Sequence, residues 1–208
     1  MLLDVHGVQS ALTRLASAES KAFGWQEHRF RLNPPVTEAE VAAFEDQHSI
    51  ALPADYRHFL TQIGNGGAGP SYVFPLGMMD GPFGFHRWRE VEDGLVGVLS
   101  KPFPLEARWN DLTGKPGLRD GTEAWEQFDN RYWSSSLVNG AIPICHTGCA
   151  LRIFLVVTGA QVGNLWYDRR AEQGGLMPLS RDDGSPLTFA SWYQGWLDVE
   201  LGKIQSAN

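Results

Sequence analysis

The sequence predicts an α+β fold, with N-terminal helices and a C-terminal helix packed on a mainly antiparallel sheet. Three observations predict it. Apolar residues recur at helical spacing near both ends of the chain, at Tyr56, Phe59, Leu60 and Ile63 and again at Phe189, Trp192, Tyr193, Trp196 and Leu197. Between them lie β-branched apolar runs at residues 142–144 and 151–157. Helices followed by strands followed by a helix is the order of a helical layer set on one face of a sheet.

The elements follow in order. Val5, Val8, Leu12 and Leu15 mark an opening helix, with Gly24 as its expected end, and residues 26–35 read as a polar connector closing in Asn33-Pro34-Pro35. A second helix begins after Thr37. Its hydroxyl can cap the free amides of the first turn, Glu40 can reach back to the Thr37 amide, and Val36 and Val41 stand at staple positions. Pro53 suits the first turn of a third helix, whose apolar stripe runs from Tyr56 to Ile63, with Gly64 as the expected left-handed end. Residues 71–76 read as a strand.

Residues 77–135 are the least regular part. A helix is expected over 120–132, with Asp120 and Glu123 at capping-box positions. Residues 151–157 and 164–167 then form a hairpin about the turn 158–163, residues 176–179 add a short strand, and Thr188 caps the closing helix with Leu187 and Trp192 as its staple. Residues 1–208 are expected to form a single domain, with 1–35 as an N-terminal helix and connector.

Composition narrows the function. The chain has 43% hydrophobic and 20% charged residues, an ordinary globular balance. Its 24 acids against 17 bases give a net charge of -7, which disfavours a nucleic-acid backbone or an anionic membrane and favours a basic partner. No run approaches the roughly 18 apolar residues of a membrane span, and Asp4 stands where an export signal would be basic. A cytoplasmic location is expected.

Chemical motifs are sparse. Residues 64–69 match G-x-G-x-x-G, and Glu90 follows at the spacing of a dinucleotide site. That fingerprint needs a strand before it and a helix after it, and here the order is reversed. Cys145, His146 and Cys149 offer three zinc ligands without a fourth in any companion motif. Cys145 and His146 are neighbours in a strand and point to opposite faces, a poor nucleophile–base pair. No catalytic residue, cofactor site or metal site is assigned.

The run Leu52-Pro53-Ala54-Asp55-Tyr56-Arg57-His58-Phe59-Leu60, followed by Asn65-Gly66-Gly67 and Pro75-Leu76, resembles the Smi/Knr-type proteins of the SUKH superfamily. Pro102-Phe103-Pro104-Leu105 with Trp109, the Val157-Thr158-Gly159 strand end, Gly163-Asn164-Leu165-Trp166 and the Phe189/Trp192/Trp196 helix follow in the same order. The likeness spans about residues 36–201. It implies helices packed on a sheet, no shared catalytic residues, and one of two roles. Bacterial members are regarded as immunity proteins that neutralise toxins, and fungal members regulate cell-wall assembly. The absence of long low-complexity flanks favours the bacterial role, so the expected partner is a basic toxin domain, bound and blocked by occlusion.

The acids indicate where such a partner would bind. Residues 80–130 hold ten acids against six bases. Asp120, Glu123, Glu126 and Asp129 come at steps of three, so on a helix they form a slanting stripe, each about 60° back from the last, beside Trp125 and Phe128. An acidic rim around aromatic anchors suits a basic protein surface. The candidate contact residues are Asp120, Glu123, Trp125, Glu126 and Asp129, with Glu90, Glu92 and Asp93 from the preceding loop. Phe83, Phe85 and Trp88 are further aromatics of the same middle segment.

Overall fold

The computed structural model describes residues 1–81, 84–91, 94–117 and 121–206. Four helices open the chain: α1 (Val5–Ser17), α2 (Trp25–His28), α3 (Glu38–His48) and α4 (Ala54–His58). Strands β1 (Gly67–Gly69), β2 (Ser71–Val73), β3 (Met78–Gly81) and β4 (Gly84–Arg87) follow, then α5 (Glu123–Tyr132). The chain continues through β5 (Ala141–His146), β6 (Arg152–Val156), β7 (Leu165–Asp168) and β8 (Leu176–Pro178) to α6 (Phe189–Ser206). The main sheet has the order β1-β2-β5-β6-β7-β8, each neighbouring pair antiparallel, and β3–β4 is a separate hairpin. This is the α+β arrangement expected.

Local chemistry accounts for most element ends. The Thr37 hydroxyl accepts from the Glu40 amide at 3.2 Å and the Thr37 amide donates to Glu40 Oε2 at 2.8 Å, the reciprocal cap of α3. Thr188 and Ser191 exchange hydrogen bonds at the start of α6. Two glycines act differently from expectation. Gly24 does not end α1, which stops at Ser17; with φ 79° it begins α2, and a Cβ there would lie 2.4 Å from the Ser71 carbonyl oxygen. Gly64 is extended, φ 175°, because α4 widens into a π-helical turn, Phe59–Ile63, closed by the Gly64 amide donating to Phe59 O at 2.9 Å. The left-handed backbone falls instead at Gly66 and Gly67.

The sheet is buried on both faces. Along β6 and just beyond it, Ile153, Leu155 and Val157 join the core shared with α1, α4 and α6, whereas Phe154 and Val156 join a second cluster with Phe103, Val138, Ala141, Trp166 and Leu176. Two-sided burial explains why this stretch reads as a continuous apolar run and not as an alternation. On the helical side Phe59 packs on Phe189 and Tyr193, with ring centroids 4.8 and 5.1 Å apart. The closing aromatic stripe is broader than the core it meets. Phe189, Tyr193 and Leu197 are buried at steps of four, whereas Trp192 and Trp196 stay half-buried on the flank.

Candidate partner-binding surface

Helix α5 starts three residues later than the sequence pattern suggested. Thr122 caps it, accepting from the Trp125 amide at 3.4 Å, so Glu123 opens its first turn. Asp120, Glu92, Asp93 and Phe83 lie outside the described residues. Along one side of α5, Trp125, Phe128 and Tyr132 stack in succession, with centroids 5.3 and 5.2 Å apart. Tyr132 continues the stack onto Trp109 at 5.4 Å, and its hydroxyl donates to Asn110 Oδ1 at 2.8 Å. Burial of Tyr132 raises its phenol pKa, in keeping with a neutral donor. Trp109 pairs in turn with Leu176 at the β8 edge through reciprocal 2.8 Å backbone bonds. The helix is therefore anchored to the sheet by stacked rings.

The remaining surface of the helix carries charge. Glu123 and Glu126 are exposed, Asp129 and Trp125 half-buried, and Phe128 buried. Gln127 donates to Glu123 Oε1 at 2.9 Å, which fixes one carboxylate of the stripe. At the far end Arg131 lies 3.5 Å from Asp111 Oδ2 and hydrogen-bonds the Thr113 carbonyl. Hydrogen bonding by Thr113 holds the Asp111 carboxyl below its usual range, with Arg131 adding the smallest share.

Other predicted contacts fall elsewhere. Glu90 is half-buried; its Oε1 lies 2.8 Å from His48 Nδ1 and accepts from the Leu99 amide at 3.3 Å, joining the end of α3 to the middle segment. It borders a cleft of about 530 Å³ with Gln47, Arg87, Trp88 and Arg89, a lining without Ser, Thr or Cys among the described residues. Trp88 is buried against Phe44 and His48 and so is a core residue; Phe85 is exposed and stacks on Tyr72.

The chemical motifs resolve into structure. Around residues 64–69 a Cβ on Gly66 would lie 2.5 Å from Val73 O, and one on Gly67 2.6 Å from Arg31 O. These glycines let backbone approach backbone. Cys145 is fully buried, and its thiol donates to Pro70 O at 2.8 Å. Burial pushes that thiol pKa up, which disfavours the reactive thiolate. Cys149 is exposed. Among the described residues no group of three or more His, Cys, Asp or Glu is placed to hold a metal ion, and no helix is long and apolar enough to cross a membrane.

The molecule is thus of an α+β class in which both sheet faces are filled and α5 exposes acidic side chains. The chain belongs to the SMI1 / KNR4 family (SUKH-1), whose model matches residues 35–182. Neither curated proteins nor solved structures returned a match.

Proposed function

We propose that the protein is a non-enzymatic, cytoplasmic immunity protein that binds a basic toxin domain and blocks it by occlusion. The observation that carries this reading is the α5 surface, where exposed Glu123 and Glu126 and half-buried Asp129 lie on a helix packed through an aromatic stack. Family membership supports it, since SUKH proteins of bacterial type are regarded as toxin-neutralising. A packed helix fixes the backbone positions of these carboxylates, and their charge accelerates capture of a cationic surface. Self-protection demands nanomolar affinity or better, about -12 kcal/mol.

The test is co-purification with the product of the adjacent gene, followed by kinetics of the Glu123→Lys/Glu126→Lys/Asp129→Lys variant. Association slowed at least tenfold, with a dependence on salt, supports the reading. Binding unchanged in the triple variant excludes this surface. A partner from the envelope-assembly machinery, bound in place of a toxin, would favour the family's other role, an intracellular adaptor or regulator of cell-wall assembly.

A further inference from the structure

We propose that the groove between α1 and residues 29–35 docks an acidic, extended segment of another polypeptide, which adds to the sheet edge at Leu32. The proposal concerns a surface opposite in sign to α5 and does not rest on the immunity reading.

The edge comes first. Beyond β1 the sheet gains one more rung, where Leu32 pairs antiparallel with Gly67. The Ala68 amide donates to Arg31 O at 2.8 Å, and the Asn33 amide donates to Gly66 O at 3.0 Å. In an antiparallel ladder the residue between two such bonds turns its own N–H and C=O to the outer side. Those two groups of Leu32 have no hydrogen-bond partner among the described residues. An open rung of this kind is the template on which an extended peptide pairs.

A groove lies beside this segment. It holds about 610 Å³ and is lined by the α1 residues Gln9, Leu12 and Thr13, by residues 29–35 and by Ile63. Through Ala16, Arg29 and Phe30 it is continuous with a pocket of about 290 Å³ that includes Lys21 and Trp25. Its lining mixes apolar residues, Leu12, Phe30 and Ile63 among them, with polar ones, which suits the alternating side chains of a strand, and Pro34-Pro35 end the edge, so the added ladder is short.

Charge selects the occupant. Arg29, Arg31 and Lys21 are exposed, and none takes part in an ion pair among the described residues. Among the described residues the 610 Å³ groove has no carboxylate in its lining, and Glu19 is the only acid lining the smaller pocket. On a chain of net charge -7 this local excess of cations attracts acidic groups that the rest of the surface repels. Arg29 and Phe30 also hold consecutive left-handed conformations, φ 47° and 56°, unusual for residues with side chains. The Arg29 amide bond to Trp25 O and the Phe30 amide bond to His28 Nδ1 fix them. A polypeptide fits better than a nucleic acid, because only a peptide completes the Leu32 rung.

The test uses the full chain, isotopically labelled, and an eight-residue peptide of alternating Glu and Val. Expected is saturable binding in NMR titration, with the Leu32 amide among the most shifted signals and its exchange with solvent slowed. Arg29→Glu/Arg31→Glu should weaken binding at least tenfold while the thermal unfolding midpoint stays within a few degrees. A peptide N-methylated at alternate residues, with its charges intact, should bind at least fivefold more weakly. A single-stranded oligonucleotide is the competing probe. No peptide binding at millimolar concentration, equal binding by the charge-reversed variant or the N-methylated peptide, or saturable oligonucleotide binding at the same signals in place of the peptide would each overturn the proposal.

Discussion

The two faces of the main sheet are sealed by different chemistry. On the helical face Leu15, Phe59, Leu60, Phe189 and Tyr193 are each fully buried, and the contacts are ring on ring and hydrocarbon on hydrocarbon. On the other face the apolar cluster is thin, and polar clamps complete it. Asp168 and Arg170 form a fully buried ion pair at 2.7 Å; Arg170 also donates to Gly94 O at 2.9 Å and lies 4.7 Å from the Trp133 ring centre. Arg152, cross-strand partner of Asp168, is paired with Asp80 at 3.1 Å and so ties the β3–β4 hairpin to the sheet. Apolar packing tolerates approximate geometry. Buried ion pairs specify position but cost desolvation, so they fix an irregular segment without adding much net stability. A long covering segment with little regular structure is held in register this way.

That difference also separates what was legible in the sequence from what was not. The Thr37–Glu40 box and the hairpin of β6 and β7 are local patterns, and each appears where its residues indicated. The clamps are long-range. Arg152 and Asp80 are 72 residues apart, and nothing in either neighbourhood announces the other. The β3–β4 hairpin went unread because its Gly-rich, mixed-polarity residues lack alternation. The π-helical turn escaped for a related reason, since its apolar spacing is that of an ordinary helix until the 29–35 connector packs against Gly64. At the candidate surface the acid spacing was legible and the cap was not: Asp120 and Glu123 offered the familiar pattern, yet Thr122 supplies the bond.

The largest expected effects test whether each face is held as described. Phe59→Ala removes a ring that meets Phe189 and Tyr193, and should cost about 3–5 kcal/mol in denaturant unfolding. A loss under about 1 kcal/mol would mean that the helical face is loosely packed. On the clamped face, Asp168→Ala leaves the buried Arg170 guanidinium uncompensated, with Nη1 already lacking a partner among the described residues, and should cost a similar 3–5 kcal/mol. Replacing both partners with apolar residues of like volume should recover much of that loss. Failure of the double variant to recover would show that the pair contributes net stability.

Acid should act on the helical side through His28. Its ring packs against Phe30 and Trp196, and burial lowers its pKa from the usual 6.5 to about 4. The unfolded chain therefore takes up a proton at higher pH than the folded one does. Stability from this group is complete above about pH 6.5 and declines as pH falls toward 4, by about 3 kcal/mol in all. His28→Asn retains an acceptor for the Phe30 amide and should flatten that dependence. Parallel pH profiles for the two proteins would show that His28 titrates normally in the fold.

The smallest expected effect asks whether the two coverings open together. Thr122→Ala removes the α5 cap and should cost about 1 kcal/mol. If the clamped face opens as a unit of its own, the loss appears in α5 alone. Amide exchange along Trp125–Tyr132 should then quicken about fivefold, the factor that 1 kcal/mol sets, while amides of α6 around Tyr193 keep their rates. If the faces unfold only together, exchange in α5 and α6 should quicken by the same factor, because both then report global stability. The second outcome would mean that the clamps transmit strain across the sheet, and that the acids of α5 sit on a platform as firm as the helical core itself.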